Sequence, residues 1–288
     1  MASILALKGR IKAAQNVSKT TKALQMISAS KMKKAQNAVI ATRPYVNKLQ
    51  EISGLIGASS KENYTHPYLT PRKSTGKTLL LAFSPDKGLC GGLVTNLIRE
   101  FLLFKKSTEK DIQYIVVGKK LEGRIIQVSR EIIASFSFGS TVPDFQMVYP
   151  LIQLIDDYYI NQKVDSVKVL MTEYKGVFMQ SPKIKTILPI EFPAEEKTPE
   201  SVYTAFEPSK DLILNSLLTH YLQMTIYLFL IESFVSEQAA RMIAMQNATS
   251  NAHDIIDTLE MEYNKTRQAK ITSEILDISS SAMTKRME

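Results

Sequence analysis

The sequence predicts an α/β fold with a long coiled coil: an antiparallel pair of N- and C-terminal helices with a Rossmann-like α/β domain inserted between them. Three observations carry this. Apolar or small residues recur at alternating spacings of three and four through the first fifty-odd residues, at Ile4, Leu7, Ile11, Ala14, Leu24, Met32, Ala35, Val39, Val46, Leu49 and Ile56. A second heptad series runs from Leu214 through Leu217, Tyr221, Met224, Leu228, Ile231, Val235, Gln238, Met242, Met245, Thr249, Ala252, Ile256 and Leu259 to Tyr263 without a proline. Between them, short β-rich runs alternate with helical stretches, the pattern of a parallel sheet covered by helices.

Taken in order, residues 1–58 form the first helix, with Pro44 as a candidate kink because proline removes one backbone hydrogen bond and crowds the preceding turn. In the register of Ile4 and Leu7 its middle seam positions are Ser18, Thr21, Gln25 and Ser28, so the seam is weak there. Residues 59–77 are polar, carry Pro67 and Pro71, and read as a linker. The α/β domain occupies 78–190: strands at 78–85, 112–118 and 167–174, further strands at 132–137 and 184–190, and helices near 92–106 and 147–161. A proline-rich linker, 191–210, precedes the second helix, 211–288, whose register changes beyond Tyr263 to Ile271, Ile275, Ile278 and Ala282. At about 1.5 Å per residue these helices are roughly 80 and 115 Å long, far beyond a domain of about 115 residues, so each must bury its stripe against the other.

Charge is distributed unevenly. The chain carries +8 overall, yet Lys8, Arg10, Lys12, Lys19, Lys22, Lys31, Lys33, Lys34, Arg43 and Lys48 precede the first acidic residue, Glu51. Exposed helices ordinarily mix signs in i,i+4 pairs, so a one-signed face points to a negatively charged partner: nucleic acid, an anionic membrane or an acidic protein. Nucleic-acid readers would bring aromatic or amide side chains beside the lysines, and Tyr45 is the sole aromatic of this helix. The apolar run 211–234 reaches spanning length but contains Asn215, His220 and Gln223, which argues against a transmembrane helix. The start "MASILALKGRIK" is too short in apolar residues for a secretory signal, and one cysteine, Cys90, excludes an internal disulfide and fits a reducing compartment.

No motif builds an active site. "PRKSTGKT" (71–78) ends like a phosphate-binding loop but has Pro71 at its glycine position and precedes a strand instead of following one. "SPDKGLCGGL" (84–93) follows a strand and opens a helix, but its glycines, Gly88, Gly91 and Gly92, lack the dinucleotide spacing and read as a structural turn. Cys90 has no evident histidine partner among His66, His220 and His253, and these residues give no zinc-site spacing. Asp156 with Asp157, and Glu260 with Glu262, read as solvated helix-surface charges, and Met242 and Met245 as seam packing.

Four stretches identify the chain with a known family. "TTKALQMISASKM" (20–32), "GLCGGL" (88–93), "EQAARMIAMQNATSNA" (237–252) and "EYNKTRQAKITSEILDI" (262–278) resemble, in order and spacing, the gamma subunit of F-type ATP synthases. The resemblance implies a non-catalytic rotor that couples proton flow to ATP synthesis or hydrolysis, with the nucleotide sites on other subunits and no cofactor here. It implies as partners the ring of alpha and beta subunits, the epsilon and delta subunits and the c-ring of the membrane sector, and a peripheral place on the cytoplasmic face of the bacterial plasma membrane. A gamma-like paralogue serving another rotary machine and a basic coiled-coil nucleic-acid binder are the alternatives.

Carried over by residue, Arg241 matches the arginine near an acidic loop of the beta subunit. Gln268, Thr272 and Glu274 match polar positions where the last helix meets the alpha/beta collar. Lys22, Lys31, Lys33 and Lys34 match the basic face of the first helix, with Leu24 where the family commonly has Met. Gly88, Cys90 and Gly91 match the glycine-rich turn. Ser281 stands before Ala282 where the family usually has Gly, which points to a more helical tip.

Overall fold

The structure, a computed structural model, describes residues 3–59, 66–71, 75–108, 111–128, 132–192 and 210–284. The first helix, α1 (Ile4–Ser59), and the last, α5 (Lys210–Thr284), enclose in sequence five strands, β1 (Lys77–Phe83), β2 (Asp111–Val117), β3 (Ile132–Phe136), β4 (Ser166–Gly176) and β5 (Met179–Leu188). Three further helices are α2 (Leu93–Ser107), α3 (Lys119–Val128) and α4 (Tyr149–Ile160), the last preceded by a 3₁₀ turn, Phe145–Val148. The strands overlap the expected runs, although the fifth lies at Met179–Leu188 where 184–190 is expected, and α3 is not foreseen. α1 continues through Pro44, next to the exposed Ile40. Contacts divide the chain into two units: Ser28–Arg241, and the segments up to Ile27 with those from Met242 onward.

In the first of these units the sheet order is β3-β2-β1-β4-β5. The first four strands are parallel, as expected, but β5 runs antiparallel to β4. The reason is the connection: between Gly176 and Met179 there is room for a hairpin and none for the dozen-residue crossover that a parallel partner requires. The sheet is therefore mixed. Alternation along β1 sorts its side chains: Leu80 and Ala82 pack with Leu93, Leu97 and Phe101 of α2, while Leu79, Leu81 and Phe83 face the opposite layer.

That opposite layer explains the apolar run at 211–234. Leu214, Leu218, Leu222, Ile226, Phe229 and Leu230 of α5 join α4 residues Leu151, Ile152, Ile155 and Tyr159 against the sheet, while Leu228, Ile231, Phe234 and Val235 pack against Ala35, Val39 and Val46 of α1. A helix buried on opposite sides is apolar all round without crossing a membrane. Among the described residues no helix is long and apolar enough to span one. Within this layer Arg43 of α1 pairs with the buried Glu232.

Part of the expected linker is core. Tyr68 is buried, its carbonyl accepts from the Ile190 N–H, and its hydroxyl donates to Asp156 on α4. Burial holds the Asp156 carboxyl above the ordinary carboxylate range, the Tyr68 hydroxyl pulling it partly back. A carboxyl raised in the folded state contributes stability below its unfolded value and loses that contribution as pH rises through the folded value. Urea midpoints of Asp156→Asn should accordingly gain on wild type as pH rises from about 3 towards 7. A difference independent of pH would refute this. Glu173, held low chiefly by Lys183, titrates in the opposite sense in both proteins and cancels from the comparison.

In the second unit the seam follows the heptads. Leu7 is buried on α1, and Met245, Thr249, Ala252, Ile256 and Leu259 on α5. Thr21 Oγ1 lies 2.7 Å from Thr249 Oγ1, and Ser18 Oγ lies 3.2 Å from His253 Nε2. Rising numbers on one helix meet falling numbers on the other, so the pair is antiparallel. Where the apolar seam weakens, a hydroxyl pair and a hydroxyl–imidazole contact replace methyl packing and give these polar groups partners.

Candidate partner interface: glycine-rich turn, basic helix and α5 tip

The parallel part of the sheet reverses its winding at β1, which pairs with β2 on one side and β4 on the other. In open α/β sheets, ligands bind beyond the strand ends at such a reversal. Here α5 fills the place. Ser233 Oγ accepts from the Thr172 N–H, Ser236 Oγ donates to the Thr172 carbonyl, and Leu230, Phe234 and Glu237 line what remains, a cavity of about 40 Å³.

The glycine-rich turn leaves the end of β1 beside this plug. Asp86 fixes its start: one carboxylate oxygen accepts from the Lys119 N–H, the other from Ser137 Oγ and the Gly139 N–H. Arg241 fixes its middle, Nε donating to the Gly88 carbonyl at 3.2 Å and Nη2 to that of Lys87 at 3.0 Å. The same guanidinium pairs with Glu237 at 2.7 Å, and its side chain is only 10% exposed. Gly91 takes a positive φ of 57°, which glycine adopts without steric cost. Leu89 takes φ 63° and is 63% exposed. Cys90 is buried in the α2 cluster, and desolvation raises its thiol pKa against the lowering by Arg241. Desolvation likewise raises Glu237, with Arg241 opposing.

The structure thus brings Arg241, Gly88, Cys90 and Gly91 into one neighbourhood, and it supplies Glu237, Asp86 and Leu89, which the sequence reading did not select. The i,i+4 spacing of Glu237 and Arg241 was the available signal for the first. The lysines divide. Lys31 is half-buried and its Nζ donates to the Ser140 carbonyl at 2.6 Å, whereas Lys22, Lys33 and Lys34 are exposed. Among the described residues no ion pair within the chain engages these three. Leu24 is half-buried.

Gln268, Thr272 and Glu274 are exposed on α5. Two contacts there are local: Thr272 Oγ1 donates to the Gln268 carbonyl, and Lys270 Nζ stands 3.6 Å from Glu274 Oε1. Ile271, Ile275, Leu276 and Ile278 are exposed beside them. Neighbouring exposed apolar side chains on a helix are a feature of interaction surfaces.

Comparison with known proteins decides the family. The family model described as ATP synthase matches residues 3–284. The ATP synthase gamma chain of Dehalococcoides mccartyi is 36% identical over 279 residues, 96% of this chain and 97% of that one. The ATP synthase gamma chain of Herpetosiphon aurantiacus is 35% identical over 291 residues, 98% of each. The chain belongs to the ATP synthase gamma chain family. Its fold matches a chain of the Euglena gracilis mitochondrial ATP synthase, in an OSCP/F1/c-ring structure, with TM-score 0.68 at 18% identity, over 98% of this chain and 94% of that one. It also matches a chain of the Tetrahymena thermophila central stalk and c-ring structure, with TM-score 0.59 at 24% identity, over 80% of this chain and 99% of that one. Family membership favours the rotor over the nucleic-acid reading.

Proposed function

We propose that the chain is the non-catalytic rotor of a proton-driven F-type ATP synthase, turning inside a ring of alpha and beta subunits and joined to epsilon, delta and the c-ring. The observation that carries this is the near-complete match to gamma chains. The exposed Ile271, Ile275 and Leu276 and the polar residues of the α5 tip suit the collar of the ring, and the exposed Lys22, Lys33 and Lys34 suit acidic loops of the ring subunits. Contacts of this kind are solvent-screened and weak singly, so they can break at each step of rotation. A rotor in such an assembly would sit peripherally, on the cytoplasmic face of the bacterial plasma membrane.

Reconstitution tests this directly. Purified chain should co-elute with alpha and beta subunits and raise the ATPase turnover of the mixture. Failure either to associate or to alter turnover would remove the rotor assignment.

A further inference from the structure

We infer that Arg241 is a positioning residue that latches the glycine-rich turn to α5 from inside the chain. Its guanidinium donates to two consecutive carbonyls, Lys87 and Gly88, and is held in turn by Glu237 one helical turn away on the same helix. With the side chain 10% exposed, Nε and Nη2 are both engaged within the chain. A planar fork meeting two acceptors and one carboxylate fixes orientation in a way that a single point charge cannot.

The latch has something to hold. Leu89, directly after the clamped carbonyls, stands in a left-handed conformation that residues with a Cβ adopt at a cost, with most of its side chain in solvent. Such a conformation persists where the surroundings impose it. Asp86 pins the start of the turn, Arg241 its middle, and the buried Cys90 its exit into α2. The turn is therefore a rigid projection of α5, and a load on Leu89 passes into that helix through Arg241. The latch rests on geometry alone, whereas the partner that meets the turn rests on the rotor reading.

Two reporters make the test clean, because the chain has one cysteine and no tryptophan. The first is the rate at which Ellman's reagent modifies Cys90 in the full-length free chain. The second is the fluorescence anisotropy of a Leu89→Trp reporter. Arg241→Ala should raise the Cys90 rate about tenfold or more and lower the reporter's anisotropy, because the buried charge-assisted bonds that hold the turn closed are gone. Arg241→Lys, which cannot fork, should fall between Arg241→Ala and wild type. Glu237→Gln, which keeps an acceptor but loses the charge, should raise the rate less than Arg241→Ala. These two variants carry the test if Arg241→Ala does not fold.

Cys90 rates within twofold of wild type in the folded variants, with unchanged anisotropy, would overturn the latch. Failure of the wild-type chain to assemble with alpha and beta subunits would overturn the rotor reading and leave these free-chain results standing.

Discussion

Gly118→Ala should severely destabilise the α/β domain. Gly118 closes β2 with φ 97°, and a Cβ there would lie 1.9 Å from the Ser84 carbonyl oxygen, a backbone atom that cannot swing aside. Several bonds meet at this crossing. Ser84 N–H donates to the Val117 carbonyl, Gly118 N–H to that of Phe136, Ser84 Oγ to that of Gly118, and Leu121 N–H to Ser84 Oγ. To relieve the clash β1 and β2 must separate where the glycine-rich turn begins. The cost should exceed about 4 kcal/mol, a large share of a total stability of about 5–15 kcal/mol. Gly123→Ala is the control: it lies inside α3 with nothing within 4 Å of the added carbon, and should stabilise by about 0.5–1 kcal/mol. Urea unfolding of both decides it. A loss under about 1 kcal/mol for Gly118→Ala would contradict the close approach.

Reversing the free lysines should uncouple the assembled enzyme while sparing the subunit. Lys22, Lys33 and Lys34 are exposed. The triple variant Lys22→Glu, Lys33→Glu, Lys34→Glu should therefore keep wild-type helicity and unfold within a few degrees of wild type, since surface changes of this kind move stability little. Against acidic loops every attraction becomes a repulsion, and coupled ATP synthesis should fall about tenfold or more, with partial recovery as salt screens the charges. Lys31 is left out because its ammonium serves the Ser140 carbonyl. Wild-type synthesis in the triple variant would show that this face meets no acidic surface.

How far the sequence reaches depends on whether the responsible force is local. The strands were legible because runs such as Leu79–Phe83 are apolar on both faces of a covered sheet. The helix stripes were legible because their period is set by the helix itself, and even the weak seam at Ser18, Thr21, Gln25 and Ser28 is the buried or half-buried row. α3 escaped because ten residues with an interior glycine and two lysines at the start carry little helical signal. The antiparallel β5 depended on a turn length, and the burial of Tyr68 on a partner in α4, neither visible as a pattern. At the site, resemblance supplied Arg241 as a residue. Only tertiary structure shows its donors turned inward to Lys87 and Gly88.

The central claim is that this chain turns within a ring to couple proton flow to ATP chemistry. Phe178, 87% exposed at the β4–β5 hairpin, offers a labelling point, and Cys90 is buried away from reagent. A bead tethered through Phe178→Cys to the complex reconstituted with alpha and beta subunits and held by the ring should rotate continuously in one direction when ATP is added, and stop when ATP is removed. A bead that only fluctuates about one position while the same complexes hydrolyse ATP would contradict the account.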